Sequence, residues 1–220
     1  MKRKRSSEFL FSQAIELVRR MGGHTIVEIG SIRDADGQQS DGHSTLAWAE
    51  SGFDVWSVDV DMRATQLTDG LLGDRYPRVS CINGDGIRFL DTFPQKIDLL
   101  YLDGPDPDGG GRRWAADAFV AALPRFSHRA VLLVDDTDLP RRGKGEFAIP
   151  LAESAGFTLL TSRRLLLWRG LAVAAISSER KRVRVPIASE ISTSSVGPTT
   201  VSAVFGAPPQ SAPNTPVRCT

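Results

Sequence analysis

Thr25-Ile26-Val27-Glu28-Ile29-Gly30 is a short apolar run, rich in β-branched residues and closed by a glycine. Such runs are typical of strands buried in a parallel sheet. Four runs of the same character follow along the chain, at Val55–Val60, Val79–Ile82, Ile97–Leu102 and Ala130–Val134. The first run is therefore predicted to be one strand of a repeated pattern.

Segments of helical length separate these runs, at Ser44–Ser51, Arg63–Tyr76, Gly86–Phe93 and Arg112–Phe126. Alternating strands and helices predict a parallel sheet covered on both faces. Two last apolar runs, Phe157–Thr161 and Arg164–Trp168, are separated only by Ser162-Arg163, a link too short for a parallel crossover. We predict an α/β three-layer sandwich with a mostly parallel, seven-stranded sheet that ends in an antiparallel hairpin.

The same patterns divide the chain into three parts. Residues 1–22 combine a basic start with an amphipathic leading helix, and residues 23–170 form the α/β domain. Residues 171–220 are a Ser/Pro-rich tail, which we expect to be disordered. The basic stretch Arg180–Arg184 in this tail is compatible with contact to an acidic partner or nucleic acid, but the absence of interleaved aromatic residues favours a solvated linker.

Composition argues against several classes of protein. The net charge of +1 supplies no field that would attract the chain to nucleic acid. We find no apolar stretch near the roughly 18 residues that a membrane helix needs. The two cysteines, Cys81 and Cys219, are too far apart to suggest a disulfide framework. We predict a cytoplasmic protein that acts on a small molecule, without a nucleic-acid or membrane partner, and its oligomeric state stays open.

Each of the first five predicted strands ends in an acid or a glycine. In order, these ends read Glu28-Ile29-Gly30-Ser31, Asp59-Val60-Asp61, Asp85-Gly86, Asp103-Gly104 and Asp135-Asp136. Taken singly, each is compatible with a turn or a helix cap. Because ligands bind in the crevice outside the carboxyl ends of parallel strands, the set as a whole indicates a ligand site.

The ends of the first two strands suit a nucleoside. A carboxylate after the second strand, here Asp59, can accept hydrogen bonds from both ribose hydroxyls, and Gly30 lets a cofactor approach the backbone closely. The loop after Gly30 lacks the G-x-G-x-x-G pattern, and the next helix is delayed until Ser44. These two features argue against NAD as the cofactor.

The order Val27–Ser31, Val58–Asp61, Asn83–Gly86 and Asp98–Gly104 resembles the successive motifs of class I S-adenosylmethionine-dependent methyltransferases, which have a Rossmann-like fold. The resemblance covers Thr25–Gly170. Asp103 followed by Asp135-Asp136 is similar to the metal-binding pattern of magnesium-dependent O-methyltransferases, in particular the bacterial group related to macrocin and other antibiotic-sugar methyltransferases. The resemblance implies S-adenosylmethionine and Mg²⁺ as cofactors.

The resemblance also implies roles for individual residues. It assigns cofactor contacts to Glu28, Gly30, Ser31, Asp59, Asp85, Gly86 and Asp103. It makes Asp103, Asp135 and Asp136 ligands of the metal. Three converging carboxylates would repel each other unless a hard divalent cation lay between them, and all-oxygen ligation suits Mg²⁺. Asp106 is the predicted catalytic base, although a Pro/Gly-rich loop also favours such polar residues without catalysis.

The chain departs from the family pattern in two places. The first loop, Ile32–His43, is long and polar, which makes Asp41-Gly42-His43 possible substitutes for the contacts of Ser31. No lysine follows Asp103, so the family arrangement with a lysine base at that position is not reproduced. Trp114, near the start of a helix, is a candidate for the border of the acceptor pocket.

Three functions are compatible with these residues. The first is a metal-dependent O-methyltransferase of a small hydroxylated acceptor, such as a sugar or a natural-product intermediate. The second is a methyltransferase-like binding or scaffold domain without catalytic activity, and the third is a methyltransferase that keeps the cofactor and works without metal. The crowded strand-end acids favour an enzyme, because a domain without catalysis has no need to bring carboxylates together.

Overall fold

The structure is a computed structural model that describes residues 2–34, 43–159 and 172–176. The described strands are β1 (Thr25–Ile29), β2 (Asp54–Asp59), β3 (Val79–Asn83), β4 (Ile97–Leu102), β5 (Phe126–Val134), β6 (Phe157–Leu159) and β7 (Ala172–Ile176). The described helices are α1 (Lys2–Arg20), α2 (His43–Glu50), α3 (Met62–Leu72), α4 (Gly86–Thr92), α5 (Gly111–Ala122) and α6 (Gly145–Ser154). Helix and strand alternate from α1 to β6.

The described strands belong to one sheet, in the order β3-β2-β1-β4-β5-β7-β6. Neighbouring strands from β3 to β5 in this order are parallel. The strand order reverses between β1 and β4, which is the point where open α/β sheets bind their ligands. The predicted Rossmann-like architecture with a mostly parallel sheet is confirmed in these five strands.

The far end of the sheet differs from the prediction. β7 pairs antiparallel with β5 and with β6, and it lies beyond residue 170, where we expected the domain to end. The predicted strand Arg164–Trp168 lies outside the described residues, as does the predicted tail from residue 177 onward. Apolar character alone does not distinguish Arg164–Trp168 from Ala172–Ile176, because both stretches have it. The tight hairpin after β6 therefore stays a prediction.

Alternate residues of the central strands pack on opposite faces of the sheet, as the pleat requires. On one face, Leu100 and Leu102 of β4 form a core with Phe119 of α5. On the other face, Leu99 and Tyr101 pack with residues of α1 and α2. Both faces of β4 are buried, which explains why its sequence is almost continuously apolar.

Helix α1 covers part of the second face. Its residues Leu10, Ala14 and Val18 recur at helical spacing and are buried. The Glu16 carboxylate on the solvent side accepts a hydrogen bond of 2.8 Å from Arg20 Nε, four residues later. In the part of the chain that the structure describes, no helix is long and apolar enough to cross a membrane.

Two of the acids near strand ends begin helices. The side chain of Asp61 accepts a hydrogen bond from the Arg63 amide at the start of α3, and that of Asp85 accepts one from the Arg88 amide at the start of α4. Such N-caps contribute about 1 kcal/mol to helix stability. The cap interpretation is therefore sufficient to explain both carboxylates.

The boundary between α5 and β5 was predicted wrongly. Arg112–Phe126 was expected to be one helix, but α5 ends at Ala122, a 3-10 turn spans Leu123–Arg125, and β5 begins at Phe126. Pro124 has no amide hydrogen to continue a helix. The ring of Phe126 packs edge-on against Phe157, with the centroids 5.2 Å apart, so its apolar character serves the strand.

Asp98 of β4 connects the amino ends of β1, β4 and β5 through hydrogen bonds. Its Oδ2 accepts hydrogen bonds from the His24 amide at 2.8 Å and the Thr25 amide at 3.0 Å, and its Oδ1 accepts one from the Ser127 hydroxyl. The Asp98 side chain is buried. It thereby fixes where β1 starts relative to β4 and β5.

We predict that Asp98→Ala lowers the free energy of unfolding by about 3 kcal/mol, because two backbone N–H groups lose a charged acceptor. Urea denaturation at neutral pH measures this loss. Asp117 is exposed on α5, and Asp117→Ala is expected to change the same quantity by less than about 0.5 kcal/mol. Similar losses in both variants would show that Asp98 has no anchoring role.

Candidate active site

Four neighbouring strands end level with one another. Ile29 of β1 is in register with Val58 of β2 and with Leu102 of β4, and Leu102 is in register with Val134 of β5. The pairing continues one residue further, since the amide of Asp103 donates to the Ile29 carbonyl at 2.8 Å. Gly30, Asp59, Asp103 and Asp135 follow these strand ends or close them, so all four lie along one edge of the sheet.

Asp59 is buried at this edge and organises the loops around it. Its Oδ2 accepts a hydrogen bond of 3.0 Å from the Ser31 amide, and its Oδ1 accepts one of 2.8 Å from the Asp61 amide. The exposed guanidinium of Arg33 lies 3.4 Å from Oδ2. Asp59 thus joins the turns that follow β1 and β2, which are the two turns predicted to hold the nucleoside.

Glu28 lies one layer below the edge and is fully buried. Its Oε1 accepts from Trp48 Nε1 at 2.9 Å, and its Oε2 accepts from the hydroxyls of Thr45 and Ser57 at 2.6 and 2.9 Å. Burial raises the pKa of Glu28 to about 7, against the lowering effect of these hydrogen bonds. Glu28 of β1 thus connects β1 with β2 and α2 through hydrogen bonds. Its predicted contact with the cofactor stays a prediction.

Two of the predicted site glycines are required by close packing. Gly30 has φ +113°, and a Cβ there would overlap the carbonyl oxygen of Asp103. A Cβ on Gly86 would overlap the side chain of Ile29. The close neighbour of Gly30 is therefore the backbone at the end of β4, and a side chain at either position would push the strand-end turns apart.

The remaining predicted residues lie around this edge. Asp106 is exposed in the turn before α5, and Asp108 lies 3.8 Å from the guanidinium of Arg112. The ring of Trp114 fills the space beside Gly104, where a Cβ would overlap it, so this tryptophan borders the loop after Asp103. Asp41, Gly42 and the side chain of His43 lie outside the described residues.

A buried lysine lies among the predicted metal ligands. The Nζ of Lys144 is 3.1 Å from Asp103 Oδ1 and 2.9 Å from Asp136 Oδ2, and this side chain is only 1% exposed. Asp135 is held by other donors: the Tyr101 hydroxyl donates to its Oδ2 at 3.0 Å and the Asp136 amide to its Oδ1 at 2.8 Å. We call Asp103, Asp135 and Asp136 the acid cluster.

Burial and mutual repulsion shift the pKa values in this cluster. Burial, together with the charges of Asp103 and Asp136, raises the pKa of Asp135 to about 7. Burial also raises the pKa of Asp103, against the attraction of Lys144. For Lys144, burial works against the charge, but the carboxylates of Asp103 and Asp136 outweigh it and raise the pKa above its usual value. The lysine is therefore positively charged at neutral pH.

Sequence reasoning missed Lys144. The family pattern has a lysine shortly after Asp103, whereas Lys144 comes 41 positions later, just before α6. The signal available in the sequence was a lysine between two glycines, Gly143-Lys144-Gly145, in the loop after the Asp135-Asp136 pair. A long side chain flanked by glycines can enter a crowded site, because its backbone is free to approach closely.

The acid cluster does not fit the Mg²⁺ ion implied by the family resemblance. An ammonium group already lies at hydrogen-bonding distance from two of the three carboxylates, and both oxygens of the third accept hydrogen bonds from protein groups. Mg²⁺ requires ligand oxygens at about 2.0–2.1 Å in near-octahedral geometry. Among the described side chains, no group of three or more His, Cys, Asp or Glu residues is arranged to hold a metal ion.

Comparisons with known proteins identify the fold. No protein-family model matches this chain, and no curated protein matches it. Among solved structures, the O-methyltransferase TomG from Streptomyces achromogenes, in complex with S-adenosylmethionine, is 17% identical; the match covers 77% of this chain and 80% of that chain, with a TM-score of 0.53. An O-methyltransferase from Bacillus cereus, in complex with S-adenosylhomocysteine, is 15% identical over 77% and 81%, with a TM-score of 0.54.

A third structure, NSun6 from Pyrococcus horikoshii, is 14% identical and matches 76% of this chain but only 52% of its own, with a TM-score of 0.55. At such identities the likeness shows a shared fold. The chain therefore has the Rossmann-like methyltransferase fold, and the O-methyltransferases among these structures agree with the family that its motifs resemble.

The pKa of Glu28 predicts a pH dependence of stability. An acid whose pKa is 4.5 when unfolded and about 7 when folded favours the folded state at low pH, and this stabilisation is lost as pH rises between those values. The loss is about 3 kcal/mol for the wild type. Glu28→Gln cannot ionise at this position. From pH 5 to pH 8, the free energy of unfolding of this variant should therefore fall by about 3 kcal/mol less than that of the wild type.

Denaturant unfolding of both proteins at the two pH values measures this difference. Other groups titrate in both proteins, so the comparison isolates Glu28. Parallel pH profiles would contradict the shifted pKa.

Proposed function

We propose that this protein is an S-adenosylmethionine-dependent methyltransferase that methylates a hydroxyl group of a small acceptor, such as a sugar or a natural-product intermediate. We expect it to act in the cytoplasm, on neither nucleic acid nor membrane. Its cofactor lies across the carboxyl edge of β2, β1 and β4. The acceptor lies beside it, over β4, β5 and the loops that follow them.

One observation carries the proposal: the acids that end β2, β4 and β5 lie along one edge of the sheet, at the point where the strand order reverses. Open α/β sheets bind ligands at this point. The fold is shared with structures whose descriptions name bound S-adenosylmethionine and S-adenosylhomocysteine. Asp59, buried between the turns after β1 and β2, is the group that we assign to the ribose hydroxyls.

Methyl transfer of this kind is a direct displacement. The acceptor oxygen forms a bond to the methyl carbon while the bond from that carbon to the sulfonium breaks, and the products are the methyl ether and S-adenosylhomocysteine. Fixing both reactants in line removes an entropic barrier of up to about 7–11 kcal/mol. The hydroxyl proton passes to a base, for which Asp106, exposed in the turn after Asp103, stays our candidate.

The proposal also includes the remaining predicted cofactor contacts. Gly30, Ser31 and Asp103 lie at the edge where the methionine part of the cofactor would bind, and Asp85 with Gly86 lies at the start of α4, on the adenine side. The Mg²⁺ requirement implied by the family resemblance is not included, because the acid cluster with Lys144 does not fit that ion.

Isothermal titration with S-adenosylmethionine tests the proposal directly. Binding of one cofactor per chain, followed by release of S-adenosylhomocysteine with a hydroxylated acceptor from a screening panel, is the expected result. A folded protein that binds no cofactor would overturn the enzyme proposal and favour the scaffold alternative.

We predict that Asp59→Asn weakens cofactor binding roughly tenfold to a hundredfold, about 1–3 kcal/mol, because a charged acceptor for the ribose hydroxyls is lost. The asparagine keeps an oxygen for one of the two neighbouring amides, and thermal unfolding checks that the fold is retained. Asp117→Asn, on the exposed side of α5, is the matched control and should bind like the wild type. Unchanged affinity in a folded Asp59→Asn protein would remove Asp59 from the cofactor site.

A further inference from the structure

Lys144 is a deeply buried cation of the candidate site, with a side chain that is 1% exposed. A desolvated ammonium is stable only where carboxylates or other acceptors surround it, and Asp103 and Asp136 supply them at 3.1 and 2.9 Å. The two acids are less buried, with side chains 40% and 35% exposed. The lysine is therefore more deeply buried than the two acids, whose carboxylates are partly exposed at the edge of the sheet.

The backbone around Lys144 fixes its position. Gly143 has φ +47°, and a Cβ there would overlap the carbonyl oxygen of Asp136. A Cβ on Gly145 would lie 2.6 Å from Ile149 Cδ1 and 3.0 Å from Thr137 Cγ2. The segment before α6 thus packs directly against the turn after β5. The ammonium enters the acid cluster from a backbone position that leaves it little freedom to move away.

The ammonium group and a divalent ion would compete for the same place. Both are attracted to the space between the carboxylates of Asp103 and Asp136, and their positive charges repel each other at short range. The carboxylate oxygens of Asp135, which a metal would also require, accept from the Tyr101 hydroxyl and the Asp136 amide. Metal binding would therefore require the displacement of Lys144 and a geometry compatible with these hydrogen bonds.

We propose that Lys144 is the resident cation of this site: its ammonium takes the place between Asp103 and Asp136 that a divalent ion would otherwise occupy, so the site binds no divalent ion. It follows, on the basis of the proposed function, that methyl transfer proceeds without metal. Lys144 is a positioning residue in this scheme, because it acts by holding Asp103 and Asp136 in place. The ion pairs of Lys144 with Asp103 and Asp136 thereby account for the residues that resemble a metal site.

Titration with Mn²⁺, followed by electron paramagnetic resonance of the free ion, tests this proposal on the full chain without requiring activity. The wild type should bind no stoichiometric Mn²⁺ at sub-millimolar concentrations, with or without S-adenosylmethionine. Lys144→Met removes the ammonium and keeps an apolar chain of similar length, so it should gain one site per chain and bind Mn²⁺ at least about tenfold more tightly than the wild type.

Two controls separate this effect from general effects of losing a lysine. Lys96→Met removes an exposed lysine whose Nζ donates to the Pro124 carbonyl, and it should bind no Mn²⁺. Lys144→Arg keeps the positive charge and should also stay without the ion. A gain of Mn²⁺ binding in Lys144→Met alone is an effect that a merely structural role of the lysine would not produce.

Two results would overturn the proposal. One is a wild type that binds one Mn²⁺ per chain and loses it in Asp103→Asn, and this test decides the matter even if Lys144→Met does not fold. The other is a folded Lys144→Met protein that binds Mn²⁺ no better than the wild type. A failure of the proposed function is distinguishable, because it would show as absent cofactor binding or transfer and leave the Mn²⁺ results unaffected.

Discussion

The level ends of β1, β2, β4 and β5 set where the strand-end acids of the candidate site lie. In a strand buried on both faces, such as β4, apolar alternation cannot fix the register. Contacts at the two ends of β1 and β4 fix it here: Asp98 accepts from the amides of His24 and Thr25, and Gly30 packs against the carbonyl of Asp103 at the opposite end. A slip of one residue would break both contacts and separate Asp103 from Gly30.

This constraint places several carboxylates in a partly desolvated region, and each is stabilised differently. Glu28 is surrounded by neutral donors only, and burial accordingly raises its pKa to about 7. Asp59 accepts from two backbone amides and lies beside the Arg33 guanidinium. The acid cluster has a buried ammonium. The carboxylates nearer the open ends of the strands therefore have positively charged partners, whereas Glu28 has only neutral donors.

The sequence was sufficient for features that depend on local pattern. Apolar runs located the five parallel strands, and the acids after them located the edge that Asp59, Asp103 and Asp135 share. It was insufficient where a contact between distant residues decides the structure. The end of α5 depends on Phe126 packing against Phe157, and β7 is defined by its pairing with β5 and β6.

The same limit applies to the acid cluster. Three converging carboxylates predict a cation between them, but nothing in their spacing shows whether the cation is a metal ion or a side chain. Lys144 is distant in the sequence, and only the packing of Gly143 against Asp136 brings it to the cluster.

A lysine and a divalent ion would give this site different chemistry. An ammonium carries one positive charge, whereas Mg²⁺ carries two. An acid cluster paired with Lys144 would therefore keep more negative charge than one that holds Mg²⁺, and it would attract the positively charged sulfonium of the proposed cofactor more strongly. Mg²⁺ also offers several coordination positions to oxygen ligands, and two adjacent acceptor hydroxyls can share such an ion. An ammonium held by Asp103 and Asp136 provides no such chelation. On the proposed function, the acceptor would therefore not need neighbouring hydroxyls for its recognition, and a single hydroxyl would be sufficient.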